Sequence, residues 1–231
     1  MPLPRIAIAT GDPAGIGPEI ALKAALDARV TAAARPLLVG DPAAVAMHAK
    51  AAGLSPELRV VASAGEADWS DGVLNLLDAR EGTNAPVEFG KVDAAYGRAS
   101  LAAARRAIEA ALAGEVEAVV AAPQTERSIH AAGISFDGYP SFVARETGTP
   151  VNDVYLMICF DSSRIVHATL HLSVRQALDL FTAEQVGQAA RASLVISGFL
   201  IGKQQAGILG AALRGRQTPL GIELCHSGAR A

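Results

Sequence analysis

Short apolar runs alternate with stretches of helical spacing through the first half of the chain, the order that builds a parallel sheet through right-handed crossovers. Residues 5–10 predict the first strand and 18–27 the first helix. Residues 36–39 read as a second strand, and Gly40-Asp41-Pro42 as the turn into a helix over 43–52 that Gly53 stops. Residues 58–62 and 73–77 are short strands around a polar loop that holds Trp69, and a longer loop spans 78–89. The helix over 92–112 has apolar positions recurring at helical intervals and closes at Gly114. Residues 118–122 form a buried strand that delivers Pro123-Gln124-Thr125 just past its carboxyl end, a favoured place for ligands in parallel sheets.

The second half has strands of a different kind, and the lobe boundary is set between Ala132 and Phe136, giving lobes over 1–134 and 135–231. Pro140 follows Gly138-Tyr139 and starts a short helix ending near Gly148. Residues 154–160 and 165–170 are β-branched or apolar runs joined by Asp161-Ser162-Ser163, which predicts an antiparallel hairpin. Helices over 174–180 and 183–196 follow.

Composition narrows the function classes. The 231 residues are 51% hydrophobic and 19% charged, which suits a sheet covered on both faces and not a disordered chain. A net charge of −3 without a basic stripe argues against a nucleic-acid partner. Apolar runs fall short of the ~20 residues needed to span a bilayer, and the N-terminus has no signal-peptide core, so a cytoplasmic protein with no membrane partner is expected. Cys159 and Cys225 lie far apart without metal spacing, and Cys159 sits inside an apolar run as a small hydrophobe.

The densest chemistry lies at Gly11-Asp12-Pro13-Ala14-Gly15-Ile16-Gly17-Pro18-Glu19, between the first strand and the first helix. Its glycines permit close approaches and unusual backbone angles, and Pro18 fits the first helical turn. The free N–H groups of that turn can face an anion, although the spacing is not the dinucleotide fingerprint G-x-G-x-x-G.

This stretch resembles the opening of the 4-hydroxythreonine-4-phosphate dehydrogenase (PdxA) family. The likeness continues through Gly90-Lys91, the Ala-rich helix, the run from Gly114 to Pro123, Ala132-Gly133 and Thr169-Leu170-His171-Leu172. It implies a two-lobed α/β architecture like that of isocitrate and isopropylmalate dehydrogenases, with a mostly parallel sheet. It also implies a homodimer that oxidises a secondary alcohol of a small-molecule substrate, using NAD or NADP and a divalent metal (Zn, Mg or Co). The family pattern puts metal on His171; His167, four residues earlier, shares a strand face with it. Asp12 of the glycine-rich turn is expected to touch substrate.

Three departures stand out. Where the family has Gly-His-Thr against substrate, this chain has Gly138-Tyr139-Pro140, so Tyr139 and Pro140 are expected to bind substrate, and a ring suits them at least as well as a phosphate. Such a ring is the substrate of family branches that oxidise cis-dihydrodiols such as that of terephthalate. The family's lysine after the Ala-Pro turn is Glu126 here, followed by Arg127. The family's Asn-Pro-His-Ala-Gly and His-Asp-Gln segments, which carry two further metal histidines, are absent, and from about residue 197 the sequence matches no family segment. The expectation is a C-terminally truncated or frame-shifted homologue with impaired catalysis, in which His226 beside Cys225 is not a replacement ligand. The other reading is a non-catalytic remnant that binds a small anion or pairs with an intact subunit.

Overall fold

A computed structural model describes residues 2–81, 87–150, 153–160, 163–170, 172–201 and 221–223. Its contacts divide the chain into two compact units, Met1–Phe136 and Asp137–Ala231.

The first unit is built on five parallel strands: β1 (Arg5–Ala9), β2 (Arg35–Gly40), β3 (Leu58–Val61), β4 (Leu74–Asp78) and β5 (Ala118–Ala121). They lie in the order β3-β4-β2-β1-β5, so the expected mostly parallel α/β sheet is present. From Ile6 to Ala9 and from Pro36 to Gly40 every residue is buried, because helices cover both faces of the central strands. Helices α1 (Gly17–Leu26) and α3 (Pro42–Ala51) pack on each other, while α4 (Ala94–Leu112) packs on β1, β2 and β5 and on α5 (Glu126–Ala131). The start of the sheet is fastened by Arg5, whose backbone N–H and guanidinium both reach the Glu117 carboxylate, at 2.6 and 2.9 Å.

Aspartate side chains set the starts of several helices in the first unit. The single helix predicted over 18–27 ends at Leu26, and Asp27 starts a separate turn of helix, α2 (Ala28–Thr31), by accepting a hydrogen bond from Arg29 N–H at 2.8 Å. Asp41 and Asp93 cap α3 and α4 in the same way, through Ala43 and Ala95 N–H. Helix α5 carries no clear periodicity in its six residues and was not expected. It forms because Ile129 and Ser128, both fully buried, pack against α4. At that crossing Gly97 of α4 has no side chain, and a Cβ there would sit within van der Waals radii of the Ser128 carbonyl and the Ile129 N.

In the second unit, α6 (Tyr139–Thr147) begins at Gly138 and stops at Gly148, which takes the left-handed conformation with φ +65°. Strands β6 (Tyr155–Phe160) and β7 (Ser163–Val166) pair antiparallel, with Phe160 opposite Ser163 and Met157 opposite Val166. The predicted second strand, 165–170, therefore begins earlier and ends sooner. Register with β6 brings Ser163 and Arg164 into the ladder despite their polarity and leaves 168–170 beyond it. Helix α7 (Val174–Leu180) carries a capping box made by Ser173 and Gln176, and α8 (Ala183–Ile201) runs past the predicted end at 196. Within the tail, β8 (Gly221–Glu223) pairs parallel to β6, a strand that the weak periodicity there did not predict. Cys225 and His226 lie outside the described residues. No described helix is long and apolar enough to cross a membrane.

Replacing a helical glycine by alanine ordinarily stabilises a helix by about 1 kcal/mol. Gly97→Ala is expected to do the reverse, lowering unfolding free energy by about 1–3 kcal/mol because the α4–α5 crossing must open. Urea denaturation of the two proteins measures it, and an unchanged or raised midpoint would show that the crossing has slack.

Candidate functional site at the sheet switch point

β1 is followed on one side by β2 and flanked on the other by β5, so the strand order reverses between β1 and β5. Loops leaving the carboxyl ends of two such strands run to opposite faces and open a crevice, the usual ligand position in open α/β sheets. Here the β1 loop is the glycine-rich turn leading to α1, and the β5 loop is Pro123-Gln124-Thr125 leading to α5.

At the floor of the crevice the two loops touch through their backbones. Asp12 N–H donates to the Pro123 carbonyl at 3.2 Å, and Ala122 N–H to Ala9 at 2.9 Å. Gly11, at φ +73°, makes this possible: a Cβ there would collide with the Pro123 carbonyl and lie 2.9 Å from that of Ala122. Gly17 abuts the Thr10 carbonyl just as closely. Gly15 differs, since its nearest would-be contacts, at 3.5 Å to Asp12, are ordinary.

Asp12 is only 2% exposed. Its Oδ1 accepts from Ala14 N–H at 2.8 Å and its carbonyl from Gly15 N–H at 3.0 Å. The N–H groups of residues 12, 14 and 15 are thus all occupied within the protein, and they lie before the first helical turn, whose N–H groups are the ones the sequence offered to an anion. Asp12 acts first as the residue that folds this turn.

Gln124 donates from Nε2 to the Ser100 carbonyl at 3.4 Å, and its Oε1 is buried without a partner among the described residues. His48 of α3, 4% exposed, donates from Nε2 to the Pro13 carbonyl at 2.8 Å and stands edge-on to Phe89, with ring centroids 4.6 Å apart. Gln124 lies in the segment that the sequence placed past the end of β5 as a favoured ligand position, whereas His48 was not singled out from sequence. The signal for His48 was a histidine at an otherwise apolar helix position, which reads equally well as a satisfied core residue.

Tyr139 and Pro140 belong to the second unit, as the first two residues of α6. Tyr139 is half-buried, and desolvation pushes its phenol well above its ordinary value, so it is a neutral hydroxyl at physiological pH. A groove of about 530 Å³ beside them is lined by Asp137, Ser141, Arg145 and Thr149, among others, and by neither Tyr139 nor Pro140. His167 approaches the Leu156 carbonyl from Nδ1 at 3.2 Å. His171 lies outside the described residues. Among the described residues no three His, Cys, Asp or Glu side chains converge to hold a metal, so these residues alone do not fit the divalent ion that the resemblance implies.

The match to the family model for the pyridoxal phosphate biosynthetic protein PdxA runs over residues 32–208, more than three quarters of the sequence. The chain belongs to the PdxA family. A 1,2-dihydroxy-3,5-cyclohexadiene-1,4-dicarboxylate dehydrogenase from Comamonas sp. is 35% identical over 89% of this chain and 61% of its own length. Among solved structures, a 4-hydroxythreonine-4-phosphate dehydrogenase from Burkholderia phymatum superposes with a TM-score of 0.75 at 29% identity, covering 86% of this chain and 60% of that one. A terephthalate 1,2-cis-dihydrodiol dehydrogenase from Burkholderia xenovorans LB400 gives 0.62 at 37% identity, covering 86% and 58%. The PdxA-family chain described here thus spans about 60% of the length of these relatives, all of which are named as dehydrogenases.

Two expectations follow from this geometry. Gly11→Ala must strain a positive φ and press on two carbonyls, so it is expected to lower stability by about 2–4 kcal/mol, whereas Gly15→Ala stays within about 0.5 kcal/mol of the parent. Equal effects of the two in chemical denaturation would contradict the close backbone contact at Gly11. For Tyr139 the folded phenol holds its proton more tightly than the unfolded one. Its contribution to stability is therefore complete below about pH 10 and is lost as pH rises beyond. Tyr139→Phe should flatten the fall in unfolding midpoint from about pH 10 upward. Tyr155, also raised by burial, accounts for a remainder. An unaltered pH profile would place the Tyr139 hydroxyl in water.

Proposed function

We propose that this protein is a nicotinamide-dependent dehydrogenase of secondary alcohols, acting on a ring-shaped cis-dihydrodiol carrying carboxylate in preference to a phosphorylated hydroxyamino acid. NAD or NADP is the hydride acceptor, with a divalent ion, Zn, Mg or Co, held in part by His171, in a cytoplasmic homodimer. The observation that carries the reading is the crevice between β1 and β5, walled by the Gly11–Gly17 turn, in a chain that belongs to the PdxA family. The ring preference rests on the sequence Gly138-Tyr139-Pro140 at the start of α6, where a half-buried neutral phenol and a buried proline stand in place of the family's Gly-His-Thr. Asp12 would act on substrate through the shape it gives the Gly11–Gly17 turn.

A second reading, a non-catalytic protein that binds a small anion or an intact subunit, is favoured by one sequence fact. Of the three metal histidines that the resemblance implies, only His171 is found in these 231 residues. Turnover by this chain alone is therefore expected to be slow.

The test is spectrophotometric. Purified protein is incubated with NAD or NADP, each of the three ions, and either a cyclohexadiene cis-diol carboxylate or 4-hydroxythreonine-4-phosphate, and nicotinamide reduction is followed. Slow reduction that is faster with the ring diol is the expected outcome. A faster rate with the phosphorylated substrate overturns the ring preference, and no reduction with either favours the non-catalytic reading. Metal analysis after dialysis should find well below one ion per chain, since a single imidazole does not hold a divalent ion stoichiometrically.

A further inference from the structure

His48 is a buried imidazole in a helix whose other buried residues are Ala44, Val45 and Ala49. An alanine or leucine would fill that place without the cost of desolvating a ring nitrogen, so the hydrogen bond it makes has to compensate. That bond goes to the carbonyl of Pro13, the midpoint of the glycine-rich turn. The same ring supports Phe89, which is otherwise 53% exposed.

The segment carrying Phe89 is tied to the same turn by a second route. Gly90 N–H donates to the Ala14 carbonyl at 2.8 Å, and Glu88 N–H donates to the Tyr96 hydroxyl at the start of α4 at 2.9 Å. One imidazole thus joins α3, the turn after β1 and the segment 88–91, and two adjacent carbonyls of the turn, Pro13 and Ala14, are each held from outside it.

We propose that His48 is a positioning residue of the crevice, fastening the glycine-rich turn and the 88–91 segment into one preorganised wall. It does not touch the reacting atoms. Its two contacts are separable: the donor at Nε2 holds the turn, and the ring holds Phe89. A wall fixed before the ligand arrives improves affinity by removing ordering from the binding step. This last consequence rests on the dehydrogenase reading; the fastening itself does not.

Two substitutions divide the contacts. In His48→Gln the amide nitrogen replaces the Nε2 donor without the ring, and in His48→Phe the ring remains without the donor. Amide hydrogen exchange on the whole chain reads the result. In His48→Phe the Ala14 and Gly15 amides are expected to exchange about tenfold faster, the loss of one hydrogen bond of ordinary strength, while Gly90 and, in β2, Leu38 and Val39 keep their rates. His48→Gln should keep slow exchange at Ala14 and Gly15 and speed it at Gly90, since the donor stays and the ring is gone. Equal acceleration in β2 and the turn would mean that His48 is merely core filling, and no acceleration in either variant overturns the proposal. Should His48→Phe fail to fold, Phe89→Ala, made at a half-exposed side chain, is expected to speed exchange at Gly90 while sparing β2, and an unchanged Gly90 rate counts against the proposal. Where turnover is measurable, KM rises with kcat unchanged in His48→Phe. A protein without turnover sinks the dehydrogenase reading and leaves the exchange result intact.

Discussion

The contact on which the first unit depends is backbone to backbone, between the turn after β1 and the residue after β5. Gly11 lies against the Pro123 carbonyl, and the neighbouring Asp12 N–H bonds to that same oxygen. Because β1 and β5 flank the point where strand order reverses, this contact sets the floor of the crevice and the direction in which both loops leave it. Any side chain at position 11 would push the loops apart and break the hydrogen bond in one movement. The sheet supplies two parallel strands in register; the absence of one Cβ turns their ends into a site.

The layers around that point follow the same logic of small residues at close crossings. Alanines fill most of the buried face of α4, so the helix lies near the central strands, and Gly97 lets α5 cross it with backbone touching backbone. Helix α5 in turn follows directly on Pro123-Gln124-Thr125, so tight packing at one crossing holds the β5 loop of the crevice in place. Large apolar side chains sit in the sheet itself, where Leu37, Leu38, Leu76 and Leu77 are essentially without exposure. Bulk in the middle layer and small residues in the outer ones are what an α/β sheet with closely applied helices requires.

Polar residues at the crevice do structural work before they do any chemistry. Asp12 and His48 are both buried, and both direct their polar atoms onto the backbone of the turn from opposite ends, one from within it and one from α3. The part of this chain that matches its relatives spans about 60% of their length.

The sequence by itself determined the alternation of strands and helices in the first unit and the identity of the strand-to-helix turn. Those depend on local periodicity and on glycine and proline chemistry, which a chain displays residue by residue. It also carried the family, because a nine-residue turn of that composition is rarely met by chance. Helices α2 and α5 escaped it, since four- and six-residue helices have too few turns to show a period and exist through capping or packing. The start and end of β7 escaped it because strand register is set by the partner, not by the run's own hydrophobicity. Only the tertiary structure decided that Gly11 and Gly17 are required while Gly15 is not, that Asp12 folds its own turn, and that His48 reaches Pro13 from a helix 35 residues away. Those facts are distances between segments remote in sequence, and no local pattern of residues encodes which atoms will meet once the sheet has formed.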